Sequence, residues 1–204
     1  MSDLAQVLNE IKSMSHLMTP DEMRQLSEIL NSLMPPIDEW MESEFYIPET
    51  GNPIVLYPHQ KDALKEATRK DDNGKYIYST VVWSDIKKSA KTTIGGARVL
   101  HMVLTKPYAT ARVVGNDLDQ AKSRMFQCIK ICLDLHPTMV DEYEIKYSQQ
   151  SREIVIGALG SKITAIPVDP SGEAGGGDDL IAFTELWGFQ NKAHIDAWAE
   201  LTLS

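Results

Sequence analysis

The sequence predicts a layered α/β domain with a mainly parallel central sheet, preceded by a short N-terminal helical hairpin. Two observations carry this prediction. Apolar residues recur at helical spacing over residues 4–18 and again over residues 23–34. From residue 57 onward, short apolar runs alternate with helical segments, as in domains whose parallel strands are joined by helices. The chain has 204 residues, 43% of them hydrophobic, which is enough to bury a core of this kind.

Residues 1–36 are predicted to form the helical hairpin. Its second helix has clear boundary signals: Thr19 is a suitable N-cap, Pro20 suits the first helical position, and Glu22 is placed for a capping box. The pair of prolines at 35–36 ends that helix. The predicted main domain then covers residues 37–204.

The formal net charge of −9 is unevenly distributed along the chain. Residues 1–56 hold two basic residues against ten acidic ones, whereas the remainder is nearly neutral. A freestanding nucleic-acid-binding protein normally presents a basic face, so the net charge argues against a chain that binds nucleic acid through bulk electrostatic attraction. The acidic hairpin either packs on the main domain or serves as an interaction arm, and the sequence leaves both alternatives open.

The elements of the main domain follow from apolar runs and their boundary residues. A polar turn over residues 84–88 precedes a helix of about 15 residues that begins near Lys91. A second helix is predicted from Asn116 or Asp117 to Leu135. The predicted strands are the aromatic and β-branched run 76–83, then 111–115, 144–147, 153–156, 162–166 and 180–183.

No apolar run approaches the roughly 20 residues that a membrane-spanning helix needs, and the N-terminus lacks a signal-peptide pattern. We therefore expect a soluble intracellular protein that is not secreted. Cys128 and Cys132 lie four residues apart in an apolar helical stretch, so both fall on one helical face. Buried, reduced thiols are the expected state of this pair.

The segment IKKSAKTT, residues 86–93, stands where a strand and turn lead into a helix, which is where a phosphate-binding loop belongs. Lys91 would meet the β and γ phosphates and Thr92 would offer its hydroxyl to Mg²⁺. Asp85 and Ala90 replace both glycines of the usual motif, so a solvated basic turn is the alternative interpretation. The predicted nucleotide-binding residues of this loop are Lys88, Ser89, Ala90, Lys91, Thr92 and Thr93.

Two further segments stand where a P-loop ATPase would have them relative to this loop, one downstream and one upstream. An apolar strand delivers Glu185 at its carboxyl end, where the catalytic carboxylate of a P-loop ATPase sits. In P-loop ATPases the position before this carboxylate is usually an Asp, which accepts a hydrogen bond from a magnesium-bound water. Here the position is held by Thr184, whose hydroxyl brings no charge to that role. Upstream, Gln60 carries a donor and an acceptor that suit the edge of adenine, and Tyr57 offers a face for stacking.

Together these segments resemble the large terminase subunit of tailed double-stranded DNA phages, from about Asp38 to the end of the chain. YPHQ at 57–60 resembles the family's adenine-contacting motif, and IKKSAKTT resembles its atypical phosphate loop, which lacks a first glycine. NDLDQAKSRMF at 116–126 and FTELWGF at 183–189 resemble two later family segments. Ala90 and Thr184 depart from the family pattern.

The resemblance implies a P-loop ATPase that uses ATP and Mg²⁺. It assigns Lys91 and Thr92 to the phosphates and the magnesium ion, Glu185 to the catalytic base, and Gln60 to adenine. Lys87 falls where the family often has an arginine that senses the γ phosphate. Since Lys lacks the planar fork of Arg, catalytic assistance is either weaker than in the family or comes from a neighbouring subunit's arginine; the candidates are Arg112, Arg124 and Arg152.

The resemblance also implies partners and missing parts. The partners are double-stranded DNA, the small terminase subunit, the portal protein and further copies of the chain in a ring, in the host cytoplasm. The family's coupling motif and nuclease domain are expected to be absent from residues 37–204, so nuclease activity is not expected. Two alternatives stay open: a nucleotide-binding or assembly module with little hydrolysis, and a helicase-like nucleic-acid ATPase.

Overall fold

The structure is a computed structural model that describes residues 3–14, 19–72, 74–168 and 177–184. Within these ranges the chain forms helices and strands of a mixed α/β domain. The helices are α1 Asp3–Met14, α2 Pro20–Leu33, α3 Ile37–Glu44, α4 Pro58–Ala67, α5 Lys91–Thr105, α6 Leu118–Ser123, α7 Met125–Leu135 and α8 Pro137–Glu142. The strands are β1 Thr110–Gly115, β2 Ile145–Lys146, β3 Glu153–Ile156, β4 Ser161–Pro167 and β5 Leu180–Phe183.

The five strands form one sheet in the order β2-β3-β4-β1-β5. β1 is the middle strand of the parallel part of the sheet, since it pairs in parallel with both β4 and β5. β3 pairs antiparallel with both β4 and β2, so the other edge is an antiparallel extension. The predicted α/β class is confirmed, and the parallel arrangement is confined to β4, β1 and β5.

The hydrophobic core continues from the N-terminal helices into the main domain. Leu8 of α1 and Leu30 of α2 are buried in the same cluster as Trp40, Phe45 and the apolar face of α5. The Ser27 hydroxyl also donates to the backbone carbonyl of Thr105, at 3.0 Å. The apolar stripes of α1 and α2 therefore pack on the main domain, the first of the two alternatives above.

The predicted start of α2 is confirmed in detail. The Glu22 backbone N–H donates to the Thr19 hydroxyl at 3.3 Å, and the Thr19 backbone N–H donates to the Glu22 carboxylate at 2.6 Å. These two bonds form the predicted capping box, with Pro20 in the first turn. Hydrogen bonds from the Thr19 backbone and side chain lower the pKa of Glu22.

The helix predicted over residues 116–135 is two helices, α6 and α7. Arg124 interrupts them with φ −115° and ψ −98°, which is not a helical conformation. Gly115 ends β1 directly beneath α6, and a Cβ built on it would lie 2.4 Å from the Ala121 nitrogen. Only glycine allows the chain to turn from the strand into a helix at this distance.

The strand predicted over residues 76–83 is wrong. Within the described residues this segment contributes only an isolated bridge between Tyr76 and Lys70, and it joins no strand of the sheet. Its apolar side chains are exposed, Val82 to 74%, apart from Trp83, which is partly buried against the core. Aromatic and β-branched composition measures how well side chains fit a half-buried sheet surface, so it forms a strand only where a neighbouring strand is available.

Candidate functional site

The predicted phosphate loop lies at the carboxyl edge of the parallel strands. A short turn joins the end of α5 at Thr105 to the start of β1 at Thr110, so α5 runs back along the sheet, antiparallel to β1. The 15-residue helix and the six-residue strand are matched in length, about 22 and 20 Å. Lys91, the first residue of α5, therefore lies at the edge where β1 and β5 end, the usual ligand-binding edge of such sheets.

The backbone of the loop is left-handed at two residues that are not glycine. Lys88 has φ 68°, and Ala90, the N-cap of α5, has φ 60° and ψ 18°. L-residues avoid this region because Cβ crowds the following carbonyl. Ala90 stands where the usual motif has its second glycine, so the backbone keeps the conformation that glycine favours and accepts local strain.

The Lys91 ammonium is enclosed by its own loop. It donates to the backbone carbonyl of Asp85 at 2.7 Å, to that of Ile86 at 2.5 Å, and to the Ser89 hydroxyl at 3.4 Å. These three bonds match the three donors of an ammonium group. The charge is therefore held beside the N-terminus of α5, where the first N–H groups of a helix have no partner within the helix.

Asp85 begins the loop and is itself held in place. Its carboxylate accepts from the Ile86 backbone N–H at 2.7 Å and lies 3.8 Å from His59. The bond from Ile86 lowers the pKa of Asp85. A hydrogen bond with Ser89 and the nearby charges of His59 and Lys91 lower this pKa as well. A carboxylate thus occupies the first glycine position of the usual motif.

Gln60 connects helix α4 to the phosphate loop. Its side-chain carbonyl accepts from the Tyr57 backbone N–H, and its amide N–H₂ donates to the Ser89 carbonyl, both at 2.9 Å. Gln60 is only 2% exposed, whereas Tyr57 is 67% exposed and stacks on His59 with ring centroids 5.9 Å apart. The structure brings Gln60 and the loop together through a contact that the sequence did not predict, and these two bonds leave one amide hydrogen and one carbonyl lone pair of Gln60 unused.

The two threonines after Lys91 have different surroundings. Both are partly buried in the first turn of α5. The Thr93 side chain hydrogen-bonds to the Cys128 thiol of α7.

Burial raises the pKa of Cys128, and it raises the pKa of Cys132 to about 12. Both cysteines are free, and Thr93 contacts α7.

Thr184 lies just beyond β5, at the carboxyl edge of the sheet. Its backbone N–H donates to the Val114 carbonyl at 2.9 Å, which fixes it beside the end of β1. The residue is 4% exposed, and its hydroxyl has no hydrogen-bond partner among the described residues. Since buried polar groups are nearly always paired, this hydroxyl is the clearest unsatisfied group at this edge. The predicted base, Glu185, lies outside the described residues.

Two aspartates at the opposite, amino-terminal end of β5 have structural roles. The Asp178 carboxylate pairs with Arg112 of β1 at 2.8 Å, and Asp179 pairs with Lys106 and accepts from the Thr110 backbone N–H. Arg112 is therefore held within its own chain. The other arginines proposed to assist a neighbouring subunit, Arg124 and Arg152, are exposed, as are Lys87 and Lys88. Glycines at positions 172 and 175–177 precede β5, and of these only Gly177 lies within the described residues.

The sequence did not predict the contacts that Asp85, His59 and the Ser89 carbonyl make at the loop. They matter here because they hold the loop from both sides. His59 lies within the YPHQ segment, and this segment is the sequence signal that could have identified it. Within the described ranges, no group of three or more His, Cys, Asp or Glu residues is arranged to hold a metal ion. No helix in these ranges has the length and apolar character needed to cross a membrane.

Replacing Ala90 with glycine is expected to stabilise the protein. Removing Cβ from a left-handed residue relieves about 1–2 kcal/mol, and the greater freedom of glycine in the unfolded chain takes back about 0.4–1 kcal/mol. We expect urea denaturation of Ala90→Gly to show a free energy of unfolding raised by about 0.5–1 kcal/mol. The matched control is Ala97→Gly in the buried interior of α5, which should lower it by about 1 kcal/mol. A similar loss in both variants would contradict the strained loop.

The sequence matches no protein-family model, and no curated protein matches it significantly. Among solved structures, the fold is similar to the crystal structure of the HK97 bacteriophage large terminase, with a TM-score of 0.65. The two are 19% identical, and the match covers 81% of this chain. The chain spans about a third of the terminase, 34% of its length. The likeness establishes a shared fold, that of part of a phage large terminase.

Proposed function

We propose that this chain is the ATP-binding and ATP-hydrolysing portion of a viral DNA-packaging motor of the large-terminase kind. The observation that carries the proposal is one juxtaposition at the carboxyl edge of the sheet. Helix α5 begins at Lys91 and runs back along β1, and Thr184, whose hydroxyl has no hydrogen-bond partner among the described residues, follows β5, so we infer that both residues lie at the same edge of a terminase-like fold. In P-loop ATPases this edge holds the triphosphate and its metal ion.

The loop provides what a triphosphate requires. Lys91 would exchange two neutral carbonyl acceptors for charged phosphate oxygens, with which an ammonium makes stronger hydrogen bonds. The free N–H groups of the first turn of α5 and the positive end of its dipole favour the same anion. Gln60 and Tyr57 would contact the adenine, since they adjoin the loop through the Gln60–Ser89 bond.

The unpaired Thr184 hydroxyl fits a magnesium site that is completed largely by phosphates and waters. Mg²⁺ usually keeps several waters and takes few protein ligands. Thr92 would be a direct ligand, and Thr184 would accept a hydrogen bond from a bound water. The ion would supply neutralisation of phosphate charge.

In the proposed reaction, water attacks the γ phosphorus in line while the bond from that phosphorus to the β–γ bridging oxygen breaks. Glu185 would orient the water and take its proton, giving ADP and inorganic phosphate. Lys87, exposed on the loop, would stabilise charge on the γ phosphate.

Movement of DNA would require more than one copy of the chain. The net charge of −9 opposes a grip on DNA by an isolated subunit. From the resemblance and the shared fold, we propose a ring around double-stranded DNA in the host cytoplasm, with the small terminase subunit and the portal protein as partners. Arg124 and Arg152, which are exposed, are the remaining candidates to complete a neighbour's site.

A second candidate is a nucleotide-binding or assembly module with little hydrolysis. Two observations favour it: the strained Ala90 in the loop, and the neutral Thr184 where a carboxylate is usual. Calorimetric titration with ATP and Mg²⁺, run beside a phosphate-release assay, separates the two candidates. Binding with release supports the motor, binding without release supports the module, and absence of binding contradicts both.

Glu185→Gln is expected to keep ATP binding while lowering phosphate release at least 100-fold, because an amide cannot accept the proton of water. The measurement is single-turnover release, with binding followed by calorimetry in the same preparation. Glu153→Gln, an exposed carboxylate on β3, is the matched control and should release phosphate at the wild-type rate. Normal hydrolysis by Glu185→Gln would contradict the assignment of the base.

A further inference from the structure

A separate cavity lies between the N-terminal helices and α5. Its volume is about 300 Å³, and its wall includes the turn at residues 34–37 between α2 and α3. The polar part of the lining consists of Asn31, Thr68, Lys70, Tyr76, Arg98 and His101. No acidic side chain is among the residues that line it.

Two cations of this lining are held by one aromatic ring. The Lys70 ammonium lies 5.2 Å and the Arg98 guanidinium 5.1 Å from the centroid of Tyr76, so the two charges are no more than about 10 Å apart. Neither cation forms an ion pair with any carboxylate of the described residues. A charge of +2 is therefore concentrated at the cavity without a counter-charge from its lining.

His101 adds a buried polar group to the same cavity. It is only 9% exposed, and its Nε2 atom has no hydrogen-bond partner in the described part of the chain. Trp40 fixes the ring by an edge contact, with centroids 5.1 Å apart. Burial, together with the nearby charges of Arg98 and Lys70, lowers the pKa of His101 to about 3, so the imidazole is neutral at pH 7. A neutral imidazole presents one N–H donor.

We propose that this cavity binds a small, doubly charged oxyanion of the phosphate type. Lys70 and Arg98 would neutralise it, and His101 would donate to it from Nε2. Such an anion supplies both the charge that the two cations lack and the partner that Nε2 lacks. The concave shape favours a small ligand over the backbone of a nucleic-acid duplex, because the His101 side chain in its wall is only 9% exposed.

The proposed oxyanion site is distinct from the phosphate loop. Arg98 follows Lys91 by seven residues on the same helix, about 10 Å along its axis. Lys91 and Arg98 thus mark two positions on α5 about two turns apart. The proposal does not rest on ATP binding at the loop, and a variant of Lys91 can be used to isolate it.

The test uses the histidine ring signals of the full chain in NMR, with His101 assigned from His101→Gln. Inorganic phosphate is titrated against sodium chloride at matched ionic strength, in wild type and in Lys91→Ala. We expect phosphate to shift the His101 signals equally in both proteins. In Lys70→Gln/Arg98→Gln, the apparent affinity should fall at least tenfold. The matched control, Lys146→Gln/Lys162→Gln, removes the same charge from exposed residues and should leave the affinity unchanged.

Three outcomes would overturn the proposal. The first is a His101 response that survives in Lys70→Gln/Arg98→Gln with unchanged affinity. The second is a response that disappears in Lys91→Ala, which would assign the phosphate effect to the loop. The third is a response to duplex DNA only, with none to inorganic phosphate, measured on variants whose circular dichroism matches wild type.

Discussion

Lys91→Ala is expected to lower the affinity for ATP and Mg²⁺ by at least two orders of magnitude. Two charge-assisted hydrogen bonds to phosphate would be lost, each worth about 1.5–3 kcal/mol, and about 3 kcal/mol corresponds to a factor of roughly 100. The fold should persist, because Lys91 is partly exposed and its partners are oxygens of its own loop. Isothermal titration measures the affinity, and circular dichroism checks the fold.

The matched control for this variant is Lys87→Ala, which removes the same charge from the same loop at an exposed position. It should bind ATP nearly as tightly as wild type and lower the rate of phosphate release. Equal losses of binding in the two variants would assign the effect to the general charge of the loop. Unchanged affinity in Lys91→Ala would contradict the phosphate loop altogether.

Thr184→Asp is expected to lower the stability of the protein without magnesium and to raise its nucleotide affinity with magnesium. Without it, a carboxylate in a position only 4% exposed lacks a partner, so the free energy of unfolding should fall by about 1–3 kcal/mol. With it, a charge-assisted bond to a magnesium-bound water replaces a neutral one, and nucleotide affinity should rise about tenfold, equivalent to about 1.4 kcal/mol. Calorimetry with and without Mg²⁺, beside urea denaturation, measures both effects.

Thr184→Asn is the matched control because it has the size of Asp without the charge. It should lower stability without any magnesium-dependent gain in affinity. If Thr184→Asp also shows no such gain, the end of β5 does not face the metal site. Nucleotide binding without magnesium should weaken in Thr184→Asp, since a new carboxylate repels the phosphates.

The features that sequence predicts well here are those with local causes. The capping box of α2 depends on residues within one turn, and the start of α5 at Lys91 follows from a polar turn before an apolar helix. The strands at 111–115, 153–156 and 180–183 were likewise predicted to within one residue, because each is a compact apolar run bounded by turn residues.

The features that sequence missed depend on contacts between distant segments. The bond from Gln60 to the Ser89 carbonyl joins residues 29 positions apart. The burial of the Thr184 hydroxyl, and its lack of a hydrogen-bond partner among the described residues, depend on segments distant in the sequence. The run at 76–83 has strand composition but no strand partner among the described residues. Composition records a preference for sheet surface, and no strand of the described residues lies beside this run to satisfy that preference.

The exposed run at 76–83 also affects how the protein behaves at high concentration. Tyr76, Ile77, Tyr78, Val81 and Val82 are all more than 40% exposed. A β-prone apolar segment without charge or proline is a template for strand pairing between molecules. The repulsion that would oppose such pairing resides mostly in the acidic residues before position 57, whereas the rest of the chain is nearly neutral. Colloidal stability should therefore depend on the acidic front of the chain, and added salt, which screens its charge, should promote self-association.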